Sequence, residues 1–451
     1  MILKKIQRSL LLLAVLFFVL SPALLSFAQE STLTPKEKTE ILDQADSILD
    51  ELRTMRGQPP PRPVHKEFKS KEQLRDLLAR YSQEDKNQQA LEAERKTMLK
   101  FGLIPRDFPY IKFALDLLTE QVAGFYDFRS HELNLLDSTP MDLQVPVLAH
   151  ELTHAIQDQN FNLKTFSEPA PGNDDLTEAH HALVEGEATA MMLDFLLKPM
   201  GRSLNTLGFD FREMINQTVQ MTTANTKVFQ QAPRALQTTL TSPYLYGTSF
   251  FQYFRRHNDW SRAGAIYRDP PSSMEQVMHP DKYFDRRDNP IPLTIPAPRP
   301  EFLKHRKLVD SNVLGELGML IVLQQFLNDD SARIASEGWG GDRYQVYEDE
   351  AGQLLLLLYT TWDTLEDTVQ FFNSYRVLLS QKYKRLKVVT AEERKLMRWD
   401  SEGEQVGLEM RDHDVIVIEG APASEFESLR TLLWHSKRTP TESPQVVDSD
   451  R

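Results

Sequence analysis

The run Ala149-His150-Glu151-Leu152-Thr153-His154-Ala155-Ile156-Gln157-Asp158-Gln159 decides how this chain is read. On an α-helix His150 and His154 stand one turn apart, so both imidazoles project from one face and can meet a single ion. Glu151, rotated about 100° from His150, can reach a water on that ion without ligating it. The spacing therefore supplies two metal ligands and a general base together. With 11 His among 451 residues, the string arises by chance in roughly a few per cent of comparable sequences. The bland alternative is a pair of histidines hydrogen-bonded on a helix face.

A catalytic zinc site wants three protein ligands and one open position. The chain has no cysteine, which removes thiolate ligands, thiol nucleophiles and disulfides and leaves His, Asp or Glu for the third ligand. The best candidate is Glu185, in Leu183-Val184-Glu185-Gly186-Glu187-Ala188, where acidic residues interrupt an Ala, Leu and Met pattern in the next helix. Small residues at 186, 188 and 190 let that helix come close to the motif helix. Glu185 and Glu187 differ by about 200° around the axis, so only one can face the metal. Glu185 shares a face with His181 and Thr189 and is preferred. Glu187 then reads as a solvent-facing acid, and His180 and His181 as surface histidines, with His181 the substitute ligand.

Outward from the motif, residues 121–136 read as a hairpin of two short apolar runs about the polar turn Arg129-Ser130-His131. Residues 142–257 read as helices: one opened by Pro146, one from Asn173-Asp174 to Pro199, and others near 203–222, 227–240 and 244–257. Upstream, 36–56 and 70–100 read as charge-rich helices separated by the proline cluster Gln58 to Pro63. The alternation of prolines from Asn289 to Pro300 predicts an extended linker that cannot sit inside a sheet or helix. Beyond it, helices at 312–328, 364–384 and 423–435 alternate with β-like runs at 343–347, 353–360, 405–410 and 414–418. The expected architecture is α+β: a signal peptide (1–28), an N-terminal helical region (29–105), a mainly helical metallopeptidase-like domain with a small edge hairpin (106–288), a linker (289–300), a second α+β domain (301–437) and a disordered tail (438–451).

The composition, 41% hydrophobic and 26% charged, is that of a globular protein. Lys4, Lys5 and Arg8, the apolar run Leu10 to Leu20 and Ser26-Phe27-Ala28 read as an export signal cut after Ala28, giving a periplasmic or extracellular protein; uncleaved, it would anchor the chain in a membrane. Removing those three cations takes the formal charge from −13 to −16, which argues against nucleic acid and anionic membrane surfaces as partners.

The motif residues resemble the gluzincins, zinc peptidases with HExxH on one helix and a Glu ligand on a following one. His150-Glu151-Leu152-Thr153-His154-Ala155 with Asp158 is similar to the active-site helix of thermolysin-like peptidases, and Glu185-Gly186-Glu187-Ala188 to the Glu-Gly-x-Ala element of the aminopeptidase N group. A metzincin-type third His is excluded, since Gln157 and Asn160 stand where that motif needs Gly and His. The resemblance implies one Zn2+ per chain held by His150, His154 and Glu185. Tyr244-Leu245-Tyr246-Gly247 is similar to the Tyr-x-x-Gly element whose Tyr hydrogen-bonds the oxyanion, which makes Tyr244 the donor and Tyr246 the reserve. His279, in a proline-flanked turn, is the other candidate, because a downstream His plays this part in thermolysin-like enzymes. The gap from His154 to Glu185 is longer than in either group, and Thr189 replaces an Asp that orients a zinc-binding His. The expected activity is hydrolysis of a polypeptide substrate, with Glu151 as base. Two alternatives stand beside it: a binding or assembly factor with a vestigial zinc site, and a zinc hydrolase of a non-peptide amide or ester.

Overall fold

The computed structural model describes residues 33–59, 62–208, 227–392 and 395–438, together with the backbone of 12–15. The expected signal segment apart from 12–15, most of the helix expected over 203–222, and the tail after 438 lie outside the described residues. The chain is a mixed α/β protein, helical toward its N-terminal part and built on a β-sheet toward its C-terminal part. It divides into two compact units: Met1–Arg95 with Leu103–Pro171 and Leu176–Arg287, and Lys96–Gly102 with Gly172–Asp175 and Asp288–Arg451. Among the described residues no helix is long and apolar enough to cross a membrane.

In the first unit, helix α1 (Pro35–Arg56) starts at a capping box between Thr34 and Glu37 and stops at Gly57, whose φ of 68° ends it in a left-handed cap. Its buried stripe runs Ile41, Ala45, Ile48, Leu49, Leu52 and then Arg56, a cation where the periodicity calls for an apolar side chain. Helices α2 (Lys71–Ser82) and α3 (Asp85–Phe101) divide the stretch expected as one helix, because the turn at Gln83-Glu84 interrupts it. Helix α4 (Tyr110–Gln121) follows. Strands β3 (Val122–Asp127) and β4 (Glu132–Leu136) form the expected antiparallel hairpin. Strand β2 (His65–Lys69) adds parallel to β4, and β1 (Leu12–Val15) antiparallel to the other edge of β3, in the order β1-β3-β4-β2.

Helix α5 (Met141–Phe161) carries the motif. It begins at Met141, five residues before the Pro146 expected to open it, and encloses that proline. Nearly every residue from Leu143 to Asp158 is buried, so α5 is surrounded on all sides and has little amphipathic signature. Helix α6 (Asp174–Leu197) supplies Glu185. Helix α7 (Arg234–Arg255) runs unbroken through Pro243, where two helices were expected to meet. Only the four-residue helix Lys227–Gln230 stands apart from it.

The second unit is a seven-stranded antiparallel sheet, made of β5 (Arg306–Asn312), β6 (Trp339–Asp349), β7 (Leu354–Trp362), β8 (Lys387–Glu392), β9 (Leu396–Ser401), β10 (Glu404–Arg411) and β11 (Asp414–Pro422), in the order β5-β6-β7-β11-β10-β9-β8. Alternation along the strands puts Leu355, Leu357, Tyr359, Ile416 and Ile418 on one face, where α8 (Phe426–Trp434) packs through Phe426, Leu429 and Leu433. The expected linker departs from its reading. Between its prolines, Leu293-Thr294 keep their N–H groups and pair antiparallel with Lys437-Arg438, while Pro300 opens a short helix, Pro300–Leu303, where a missing N–H costs nothing.

Candidate metal centre

Helices α5 and α6 bring His150, His154 and Glu185 together. His150 Nε2 lies 3.2 Å from Glu185 Oε2, His154 Nε2 3.5 Å from the same oxygen, and the two Nε2 atoms 3.1 Å from each other. All three side chains are buried. A tetrahedral zinc with bonds of about 2.0–2.1 Å separates neighbouring ligand atoms by roughly 3.3 Å, so these atoms are spaced like three corners of such a tetrahedron. They form one of the His and carboxylate groups able to hold an ion among the described residues. Among the described residues the Glu185 carboxylate has three imidazoles in ion-pair range: His150, His154 and, at its other oxygen, His181. Such a donor set suits a divalent cation.

Burial and charge act on these groups in opposite directions. Burial opposes ionisation of Glu185, yet the facing imidazoles, His154 first, outweigh it and hold the carboxyl well below its ordinary range. Burial pushes His150 down, against the pull of Glu185. In His154 and His181 burial is overcome by neighbouring carboxylates and the ring is pushed up.

Glu151 is fully buried, and its Oε2 accepts the backbone N–H of Tyr126 on β3 at 2.7 Å. The general-base candidate is thus fixed by strand β3, which packs on α5. Tyr244 is buried, with its ring 6.3 Å from that of His150. It owes this position to a close crossing of α6 and α7. A Cβ on Gly247 would lie 2.0 Å from the Ala182 carbonyl oxygen and 2.8 Å from Gly186 Cα, so only glycine allows α7 to bring Tyr244, one turn earlier, beside His150. Tyr246 is half-buried on the same helix. His279 is half-buried at the end of the short helix Met274–Met278, its backbone N–H donating to the Glu275 carbonyl at 2.8 Å.

Two readings of side chains are corrected. Glu187 is not solvent-facing but fully buried, because its face of α6 turns toward α5 and α1: its Oε1 lies 2.5 Å from Arg56 Nε. His181 is not a surface histidine but buried behind Glu185, its Nε2 3.4 Å from Glu185 Oε1 and its Nδ1 3.9 Å from Glu178. It braces Glu185 from the side away from the other two imidazoles. His180, half-buried, stacks on Phe166.

Further contacts around these residues were not anticipated. Gln157, one turn past His154, accepts from His154 Nδ1 at 2.7 Å, and the two N–H groups of its Nε2 are shared among Val184 O, Glu187 Oε2 and Tyr267 Oη at 3.0, 2.9 and 2.8 Å. It holds the His154 imidazole through Nδ1. Asp158 accepts from Tyr126 Oη at 2.9 Å and from the Leu163 N–H, and meets His131 Nδ1 at 2.7 Å. It therefore pins the hairpin to α5. His131 makes this contact from a left-handed turn position, φ 59°. Gln157 was within reach of the sequence, since i, i+3 on a helix are neighbours; the contact of Tyr126 with Glu151 is made through the backbone and leaves no residue-type signal.

One family model matches the chain, a domain of unknown function (DUF8575) over residues 304–430, inside the second unit. No curated protein and no solved structure matches it.

Proposed function

We propose that the first unit is a zinc-dependent metallopeptidase of gluzincin type, with His150, His154 and Glu185 holding the ion and Glu151 acting as general base. One observation carries this reading: three buried ligand atoms 3.1–3.5 Å apart, on two helices, with a carboxylate one residue from the first ligand. Bound there, zinc supplies Lewis acidity toward a carbonyl oxygen and makes water acidic near neutral pH. Glu151, held by the Tyr126 N–H, takes the proton of the attacking water and returns it to the leaving amine. Tyr244 donates from beside His150 to the oxygen that gains charge. A polypeptide substrate is supported by β3, whose outer edge pairs antiparallel with Leu12–Val15, residues that precede the expected cleavage point. The edge that the exported chain would present beside α5 is thus of a kind that accepts an extended strand.

The test is metal analysis of the purified protein combined with a casein-cleavage assay in the presence and absence of chelator. About one zinc per chain and chelator-sensitive cleavage are expected. Zinc-loaded protein that cleaves no peptide library turns the reading toward the binding-factor alternative; full metal occupancy in both His150→Ala and Glu185→Gln removes the site assignment.

A further inference from the structure

Arg56 closes the buried stripe of α1, and its side chain and that of Glu187 are both fully enclosed. A buried guanidinium is costly unless something needs it there. Its Nε lies 2.5 Å from Glu187 Oε1 and its plane lies over Phe161, 5.4 Å from the ring centre. Phe161 stacks in turn on Tyr267, at 4.2 Å and 5°, and Tyr267 Oη donates to the other oxygen of Glu187 at 2.5 Å. The cation therefore fixes a carboxylate whose second oxygen also accepts from Gln157 Nε2.

This fixes the amide of Gln157. Its Nε2 faces a backbone carbonyl, a carboxylate oxygen and a phenol oxygen whose own proton is directed to that carboxylate. Turning the amide over would set its oxygen against two acceptors. Oε1 must then point at His154, accept the Nδ1 proton and leave the Nε2 lone pair for the ligand cluster.

We propose that Arg56 is a positioning residue of the metal centre, acting through Glu187 and Gln157 on His154. The helix Pro35–Arg56 therefore belongs to the site and is not a removable prosegment. The proposal rests on the zinc reading above. Without the guanidinium, the Glu187 carboxylate is a buried charge with no cation, the cluster of Glu187, Tyr267 and Gln157 relaxes, and the imidazole loses its fixed acceptor.

The experiment compares wild type, Arg56→Lys, Arg56→Met and Arg56→Met/Glu187→Gln. The double variant removes both charges, so that a folded protein can be measured even where Arg56→Met alone fails to fold. In the double variant two facing amides can each turn, so the orientation of Gln157 is no longer forced. Zinc affinity is read by competition with a chromophoric chelator, and coordination geometry by the visible bands of the cobalt-substituted protein. Loss of such an outer partner typically weakens metal binding 10- to 100-fold. A loss of that size with altered cobalt bands is expected in the folded Met variants, with Arg56→Lys recovering most of the affinity. Folded Met variants that bind zinc as tightly as wild type, with unchanged cobalt bands, overturn the role of Arg56 and leave the zinc reading standing. Wild-type protein that binds no zinc overturns both.

Discussion

Gly247→Ala puts a single methyl group into the crossing of α6 and α7. In a helix interior this exchange gains about 1 kcal/mol from backbone propensity wherever there is room. Here the added Cβ would lie 2.0 Å from the Ala182 carbonyl oxygen, about 1 Å inside the 3.0 Å limit of real contacts, and the obstacle is backbone on a buried helix. Overpacking of this kind costs about 3 kcal/mol or somewhat more, leaving a net loss near 2 kcal/mol. For a unit of this size that is a drop in melting temperature of roughly 4–8 °C. Parting the helices by about 1 Å also draws Tyr244 away from His150, and a misplacement of that size costs on the order of 100-fold in rate. Calorimetry, zinc analysis and peptide hydrolysis on one preparation read all three effects. A variant that melts at or above the wild-type temperature with full activity would refute the account of why glycine stands at 247 and how Tyr244 is placed.

Glu151→Gln should keep its zinc while activity falls on the order of 100- to 10,000-fold, since an amide cannot accept the proton of water; loss of metal in this variant would make Glu151 a ligand. Tyr244→Phe should keep both zinc and fold and lose activity more mildly, about 10- to 100-fold; unchanged kcat would move the oxyanion donor to Tyr246 or His279. In the second unit, Asp342 accepts from the Leu314 and Gly315 N–H groups at 2.9 Å and from Trp339 Nε1 at 3.0 Å. Asp342→Ala leaves these buried donors unmet and should lower the urea midpoint by the equivalent of about 3 kcal/mol. Burial pushes the Asp342 carboxyl up to about 6, so the protonation-linked part of its contribution is fully present below the ordinary carboxylate range and is lost as pH rises through about 6, while the hydrogen bonds from Leu314, Gly315 and Trp339 remain. A wild-type midpoint that does not fall over that interval relative to Asp342→Ala would count against this assignment.

The helix carrying His150 and His154 and the hairpin beside it were legible because each depends on spacing within one element, where geometry follows from residue number. That Glu185 and not Glu187 turns toward the two histidines was legible for the same reason. What became of Glu187 and His181 was not, because a helical face is known from the sequence but its neighbour is not. A buried acid needs a buried cation, and that cation, Arg56, comes from a helix 131 positions earlier whose charge pattern reads as a solvated surface. Strand β2 was missed because His65-Lys66-Glu67-Phe68-Lys69 has one apolar residue and pairs at the sheet margin. The uninterrupted α7 was missed because Pro243 is a helix breaker by local chemistry and is overruled here by packing on both sides of it.

The second unit is assembled from three separate pieces of chain. Lys96 meets Glu348 at 2.6 Å, Lys382 donates to the Lys100 carbonyl at 2.5 Å, Arg343 donates to the Gly172 carbonyl, and the Asp174 N–H donates to Asn312 Oδ1 at 2.8 Å. A gene fragment beginning at residue 288 would encode every strand of the seven-stranded sheet and still lack these anchoring peptides. In this protein, therefore, the C-terminal half is not a cassette that recombination could graft or delete at one junction. Its inheritance is tied to that of the half containing the histidines, and fragments intended for expression should begin upstream of Lys96.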